Sequence, residues 1–76
     1  MFDVLIINPK HTLYEGKGEV VSLPGEKGVF EILDHHAPII TLLGEGKIII
    51  DEQVYLLIEG GLAKFYNNKL TVLTEK

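Results

Sequence analysis

Two periodicities compete between Lys47 and Ile58. A helix would set apolar residues three and four positions apart on one face. Ile48 is instead followed at those distances by Asp51 and Glu52. Alternation fits better: Ile48 and Ile50 share one side with Lys47 and Asp51 on the other, and then Tyr55 and Leu57 alternate with Val54, Leu56 and Ile58. A period of two is the signature of a strand, because successive side chains point to opposite faces.

The same reading extends along the chain. Phe2 to Asn8 is a predicted strand ended by Pro9, and Glu19 to Leu23 one ended by Pro24-Gly25. Val29 to Leu33 and Ile39 to Leu43 follow, the latter closed by Gly44-Glu45-Gly46. Leu62 to Tyr66 and Leu70 to Thr74 flank Asn67-Asn68, a two-residue hairpin signal because Asn tolerates positive φ. Gly60-Gly61 reads as a bulge or tight turn. Short strands at this spacing predict an all-β fold of small, flattened sandwich or barrel type, with mostly antiparallel strands. No linker or internal repeat divides residues 1–76, so one domain is expected.

Val4 to Ile7 and Ile48 to Ile50 are apolar on both faces. In an antiparallel protein of this size one strand face normally meets water. Two explanations stand: central burial, or a partner covering an apolar patch.

Composition narrows the class. With 46% hydrophobic residues the chain has the content of a folded globular protein. Seven basic against eleven acidic residues give a net charge of −4, which argues against nucleic acid and against a polybasic membrane surface. The absence of cysteine rules out a disulfide framework or Cys-based metal site and is compatible with a reducing compartment. The longest unbroken apolar run falls far short of the ~20 residues of a membrane helix. Met1-Phe2-Asp3 has no basic segment before an apolar one, so neither direct membrane insertion nor a signal peptide is predicted.

Candidate chemistry is sparse. Asp34-His35-His36 is the most suggestive run, with His11, Glu26 and Glu31 as further donors. A zinc site needs three or four converging ligands, whereas adjacent residues on an extended strand diverge. One exposed and one hydrogen-bonded histidine is the expectation. Ser22 lacks a nucleophile elbow, which argues against a triad with His36 and Asp34. Gly25-Glu26-Lys27-Gly28 and Gly44-Glu45-Gly46 lack the helix and the Gly-Lys-Ser/Thr ending of a phosphate loop, so they read as turns. The residues alone thus point to a small acidic all-β binding or assembly module with no catalytic residue, cofactor or metal.

The middle of the chain goes further. The run from Pro24 to Leu43 contains a glycine loop, a short strand, and then His36-Ala37-Pro38 followed by apolar residues and Thr41. Gly46-Lys47-Ile48, the strand from Tyr55 to Gly61, and the segment from Asn68 to Leu73 follow in order. The N-terminal strand and Tyr14 to Val21 fit as well. This ordered set, spanning nearly the whole chain, resembles the epsilon chain family of F-type ATP synthases. Glu31 and His35 depart from it, standing where the family commonly has Gly.

That resemblance implies a sandwich of roughly ten short strands. It also implies a non-catalytic rotor subunit in the central stalk of a proton-translocating synthase, coupling rotation to ATP synthesis. The partners would be the gamma subunit and the membrane c-ring. By motif position, Asn8, His36, Ala37, Pro38 and Thr41 resemble the gamma-facing surface, and Gly25, Glu26, Lys27, Gly28 and Val29 the ring-facing loop. His36→Ala is then expected to weaken gamma binding while sparing the fold. The location would be peripheral, on the cytoplasmic face of a bacterial inner membrane or the equivalent side of an organelle membrane. The chain ends at Lys76, where longer members continue into a C-terminal helical hairpin, so the short, sandwich-only form is expected. The alternative is a stand-alone β-sandwich binding module for a sugar or peptide, marked by monomeric behaviour and an exposed aromatic platform.

Overall fold

The structure, a computed structural model, describes residues 1–75. These form nine strands and no helix: β1 (Phe2–Ile7), β2 (Thr12–Gly18), β3 (Val20–Gly25), β4 (Gly28–Leu33), β5 (Ile39–Leu43), β6 (Gly46–Ile50), β7 (Val54–Ile58), β8 (Gly61–Tyr66) and β9 (Lys69–Thr74). All pair into one curled sheet in the order β2-β1-β9-β8-β5-β3-β6-β7, with β4 on the other edge of β3. Every pairing is antiparallel except β1 with β9, which brings the first and last strands side by side. The all-β, mostly antiparallel expectation therefore holds.

β3 is where the sheet curls. One of its edges pairs with β4 along its whole length, from Val20↔Leu33 to Gly25↔Gly28. The other is shared: Val21 and Ser22 pair with β6, and Gly25 with Leu43 of β5. Inward residues of β1, β8 and β9 thereby meet those of β3, β4 and β6. Phe2, Val4, Ile6, Phe65, Leu70 and Val72 pack with Val21, Leu23, Ile32, Ile48 and Ile50 in one core, each at 0–1% exposure. Strict alternation along the strands makes this possible, and the hydrophobic effect rewards it with roughly 1.5–3 kcal/mol per large apolar side chain.

Two differences from the pattern-based reading have physical causes. Pro24-Gly25 does not end β3: both residues pair with β4. The Pro24 carbonyl accepts from Gly44 N at 2.8 Å, so its polar backbone faces away from β4. In an antiparallel ladder a residue's N–H and C=O point to the same side, so proline's missing donor costs the β3–β4 ladder nothing. The second is β2, which alternation alone did not reveal. Its outward positions mix Leu13 with the charged Glu15 and Lys17, and Tyr14 is its main apolar contact with the core.

The turns follow their residues. Asn67 and Asn68 adopt φ 53° and 59°, the paired left-handed conformation of a two-residue hairpin between Tyr66 and Lys69. Asp51, at φ 52°, also fastens the corner between β2 and β3: its Oδ1 accepts from Glu19 N at 2.8 Å and from Val20 N at 2.9 Å, and its own N–H donates to the Val20 carbonyl. The Val20 and Glu19 backbone donors hold the Asp51 carboxyl below the usual carboxylate range. A folded pKa below the unfolded one means the stabilisation is complete above about pH 4 and is lost as pH falls through that region. Asp51→Asn keeps the left-handed preference but removes the charge. It is expected to cost about 1 kcal/mol at pH 7 and less at pH 3. Urea titrations at the two pH values check this, and an equal cost at both would refute the charge-assisted role.

Candidate functional site

Asp34-His35-His36 lies in the turn leaving β4, not on a strand. His35 takes φ 60°, the left-handed region that glycine favours, at the position where the family commonly has Gly. Asn68 compensates: its Oδ1 accepts from His35 N at 2.8 Å, and its Nδ2 donates to Asp34 Oδ1 at 2.9 Å. The Met1 amino group reaches Asp34 Oδ2 at 3.1 Å. Asn68, and then the amino terminus, hold the Asp34 carboxyl below its ordinary range. This run therefore ties the N-terminus to the β8–β9 hairpin. Glu31, the other departure from the family pattern, sits exposed on β4 opposite Ser22 with no backbone strain.

The two histidines diverge. His35 points to solvent, its side chain 81% exposed. His36 is half-buried, its Nδ1 2.7 Å from the Ala37 carbonyl oxygen and its ring edge-on to Phe65 at 6.0 Å and 88°. Among the described residues, no group of three or more His, Asp or Glu side chains is placed to hold a metal ion. The surface hollows are open; one of them gathers Ser22 with the carboxylates of Glu19, Glu31, Asp51 and Glu52 but holds no histidine.

What the surface offers is an apolar row. Leu42 of β5 stands opposite Leu62 of β8, Leu62 opposite Leu73 of β9, and Leu73 opposite Ile7 of β1. Alternation turns all four away from the core: Leu42 is 55% exposed, Leu73 47% and Leu62 36%, with Ile7 half-buried. Ile40 and Leu5 lie one pleat further along on the same face. A contiguous apolar row across four neighbouring strands is the kind of surface a protein partner covers. Most of the row escaped the sequence reading. Leu62 and Leu73 are unremarkable in isolation, and only register aligns them.

The motif residues sit around this row. Thr41 lies next to Leu42 and shares a shallow hollow with Gly25, Glu26, Lys27, Gly28, Val29 and Phe30. Ala37 and Pro38 are exposed in the crossover into β5, beside Phe65 and His36. Asn8 follows Ile7 at the opposite end of the row, three strands from β5, or roughly 14 Å at the usual strand spacing. Its Oδ1 accepts from Lys10 N at 2.8 Å and His11 N at 2.6 Å, shaping its own loop. Thr41 thus adjoins the 25–29 hairpin, Asn8 is remote from both, and the apolar row connects them.

The 25–29 hairpin is built to protrude. Glu26 and Lys27 bridge the pair Gly25↔Gly28, Gly28 takes φ 137°, and Val29 is left 74% exposed. An exposed apolar side chain beside a charged two-residue turn suits a small protein contact rather than a pocket for a small molecule.

Comparison with known proteins identifies the lineage. The profile of the ATP synthase Delta/Epsilon chain, beta-sandwich domain, matches residues 1–76. ATP synthase epsilon chains are similar over nearly the whole chain. That of Leptospira interrogans is 35% identical over 75 residues, covering 95% of this chain and 59% of its own length. That of Lawsonia intracellularis is 40% identical over 73 residues, covering 92% and 55%. The Caulobacter vibrioides chain is 34% identical over 73 residues, covering 92% and 85%. The chain therefore spans little more than half the length of the first two. In fold it is similar to a chain in the Tetrahymena thermophila mitochondrial ATP synthase central stalk and c-ring structure, with a TM-score of 0.83 at 13% identity over 97% of this chain and 63% of that one. With its full length matched by the domain profile, the chain belongs to the ATP synthase delta/epsilon family, as that family's β-sandwich domain.

Proposed function

We propose that this chain is the β-sandwich part of a non-catalytic rotor subunit in the central stalk of a proton-translocating F-type ATP synthase, the epsilon chain, which links the gamma subunit to the c-ring and helps couple rotation to ATP synthesis. The observation that carries the reading is the match of residues 1–76 to the family's sandwich domain, on a surface that has an apolar row across four neighbouring strands. On this reading the gamma subunit covers the Ile7–Leu73–Leu62–Leu42 row together with Asn8, His36, Ala37, Pro38 and Thr41. The protruding hairpin Gly25, Glu26, Lys27, Gly28 and Val29 faces the c-ring. Peripheral attachment through these contacts would hold the chain on the cytoplasmic face of a bacterial inner membrane, or the equivalent side of an organelle membrane.

The geometry suits torque transfer. A stiff sheet moves as one body, and an apolar row buried against a partner resists slippage because shearing it exposes the area again. Such interfaces concentrate their energy in a few central anchors. Leu62 and Leu73, at the middle of the row, are the best candidates.

The test is co-purification with the gamma subunit from the same source, followed by affinity measurement. Leu73→Lys is expected to weaken the complex by about 30-fold or more, near 2 kcal/mol, by burying an unpaired charge. Its fold should persist because Leu73 is 47% exposed in the free chain. Gln53→Lys, on the layer formed by β6 and β7, should bind as before. Unchanged affinity for Leu73→Lys would remove the row from the interface. The absence of any complex would sink the rotor reading itself. His36→Ala is a poorer probe, because the ring also packs on Phe65 and its loss perturbs the core.

A further inference from the structure

We infer that the open edge of β7 is a pairing surface for an extended strand, and that in the isolated chain its occupant is β7 of a second copy. Three strands have an edge without a ladder partner among the described residues: β2, β4 and β7. Such an edge presents backbone N–H and C=O groups that another extended chain satisfies in register. Natural sheets guard their edges with charge or proline. β2 carries Glu15 and Lys17, and β4 carries Glu31. β7, Val54-Tyr55-Leu56-Leu57-Ile58, has neither charge nor proline. Its two outward side chains are among the most exposed large apolar ones, Leu57 at 83% and Tyr55 at 57%. Lys47 on β6 places its Nζ 5.9 Å from the Tyr55 ring centroid on that face.

The choice of occupant follows from the segment's own symmetry. About Leu56 the strand is chemically palindromic: Val54 matches Ile58, and Tyr55 matches Leu57. Antiparallel pairing around a twofold axis sets Leu56 against Leu56, Val54 against Ile58 twice, and Tyr55 against Leu57 twice. Directly opposed residues share a face, so each exposed Tyr55 gains a Leu57 neighbour, a favourable aromatic–aliphatic pair. At the ends Gln53 falls opposite Glu59, and Glu52 opposite Gly60, so no two carboxylates oppose each other directly. The pairing continues the β4-β3-β6-β7 part of the sheet into that of a second copy and leaves the Leu42–Leu73 row untouched, so it stands independently of the rotor reading.

The experiment is sedimentation equilibrium of the isolated chain with ¹⁵N-resolved amide spectra, from about 1 µM to about 2 mM, a range that brackets millimolar to micromolar affinity. The expected result is a mean mass rising from 8.5 kDa toward twice that, with concentration-dependent shifts centred on Val54–Ile58. Leu57→Lys, at a position already in solvent, is expected to weaken self-association at least about tenfold with an unchanged fold spectrum, and Leu42→Lys to leave it unchanged. A constant 8.5 kDa mass with unmoved β7 amides would overturn the proposal. So would self-association that Leu42→Lys abolishes and Leu57→Lys does not, which would place the contact on the apolar row. Added gamma subunit is expected to move the Leu42, Leu62 and Leu73 amides. If it moves Val54–Ile58 in their place, the strand occupant is another protein and the second-copy assignment fails.

Discussion

Phe65→Ala is expected to leave little folded protein at physiological temperature. Phe65 is 1% exposed near the end of β8, where its ring meets Phe2 edge-on at 5.3 Å and 87° and His36 at 6.0 Å. Truncating a buried phenylalanine costs about 3–5 kcal/mol, a transfer term plus a cavity that a close-packed interior cannot collapse. A domain of 76 residues has only roughly 4–11 kcal/mol in total. At about 4–8 °C per kcal/mol, the melting midpoint should fall by roughly 12–40 °C. Far-ultraviolet circular dichroism during heating measures it, with Phe65→Leu as the milder comparison. A midpoint within a few degrees of the parent would show that the aromatic trio does not hold the core together.

Gly61→Ala should be the most damaging small substitution. A Cβ added there would collide with the Leu73 carbonyl oxygen and lie 3.1 Å from the Thr74 Cα. Both obstacles are backbone, so no side chain can swing aside and β8 must separate from β9. We expect a loss of about 2–3 kcal/mol. Because Gly61 pairs with Thr74 and Leu43, the displacement also moves Leu62 and Leu73, and on the proposed reading the affinity for the gamma subunit falls in parallel. Gly44→Ala is the control: its added Cβ meets nothing within 4 Å and its φ is ordinary, so stability should stay within about 0.5 kcal/mol or rise slightly. Equal urea midpoints for the two variants would contradict the close approach of β8 and β9.

The two substitutions probe different layers of the same design. Phe65 reports on the core between the facing layers, and Gly61 on the spacing of strands that carry the outer apolar row. If the outer row is the torque-bearing surface, its geometry depends on a glycine that no side-chain contact identifies.

Much of the fold was legible in the sequence because side-chain alternation is a local property. Ile48 and Ile50 against Lys47, and Leu70 and Val72 against Thr71, declare strand and face without any long-range information. Asn67-Asn68 declared its hairpin because few residues tolerate two consecutive left-handed conformations. Family membership was legible too, since His36-Ala37-Pro38, Gly60-Gly61 and the segment Asn68–Leu73 stand in the right order.

Other features needed the tertiary structure. Whether Pro24 ends a strand depends on which way its backbone faces, and that is set by Gly44, twenty residues later. The double-faced apolar run of β1 became half-explained once β1 was seen between β2 and β9: Val4 and Ile6 are core, while Leu5 and Ile7 remain partly in solvent. The apolar row exists only through register across β5, β8, β9 and β1. The open edge of β7 exists only because strand order places it last. Local alternation is written residue by residue, whereas strand order and register are pairings between distant segments. Sequence alone therefore determined that this chain makes strands with one buried face, and the closing of the sheet decided which exposed residues stand together for a partner to meet.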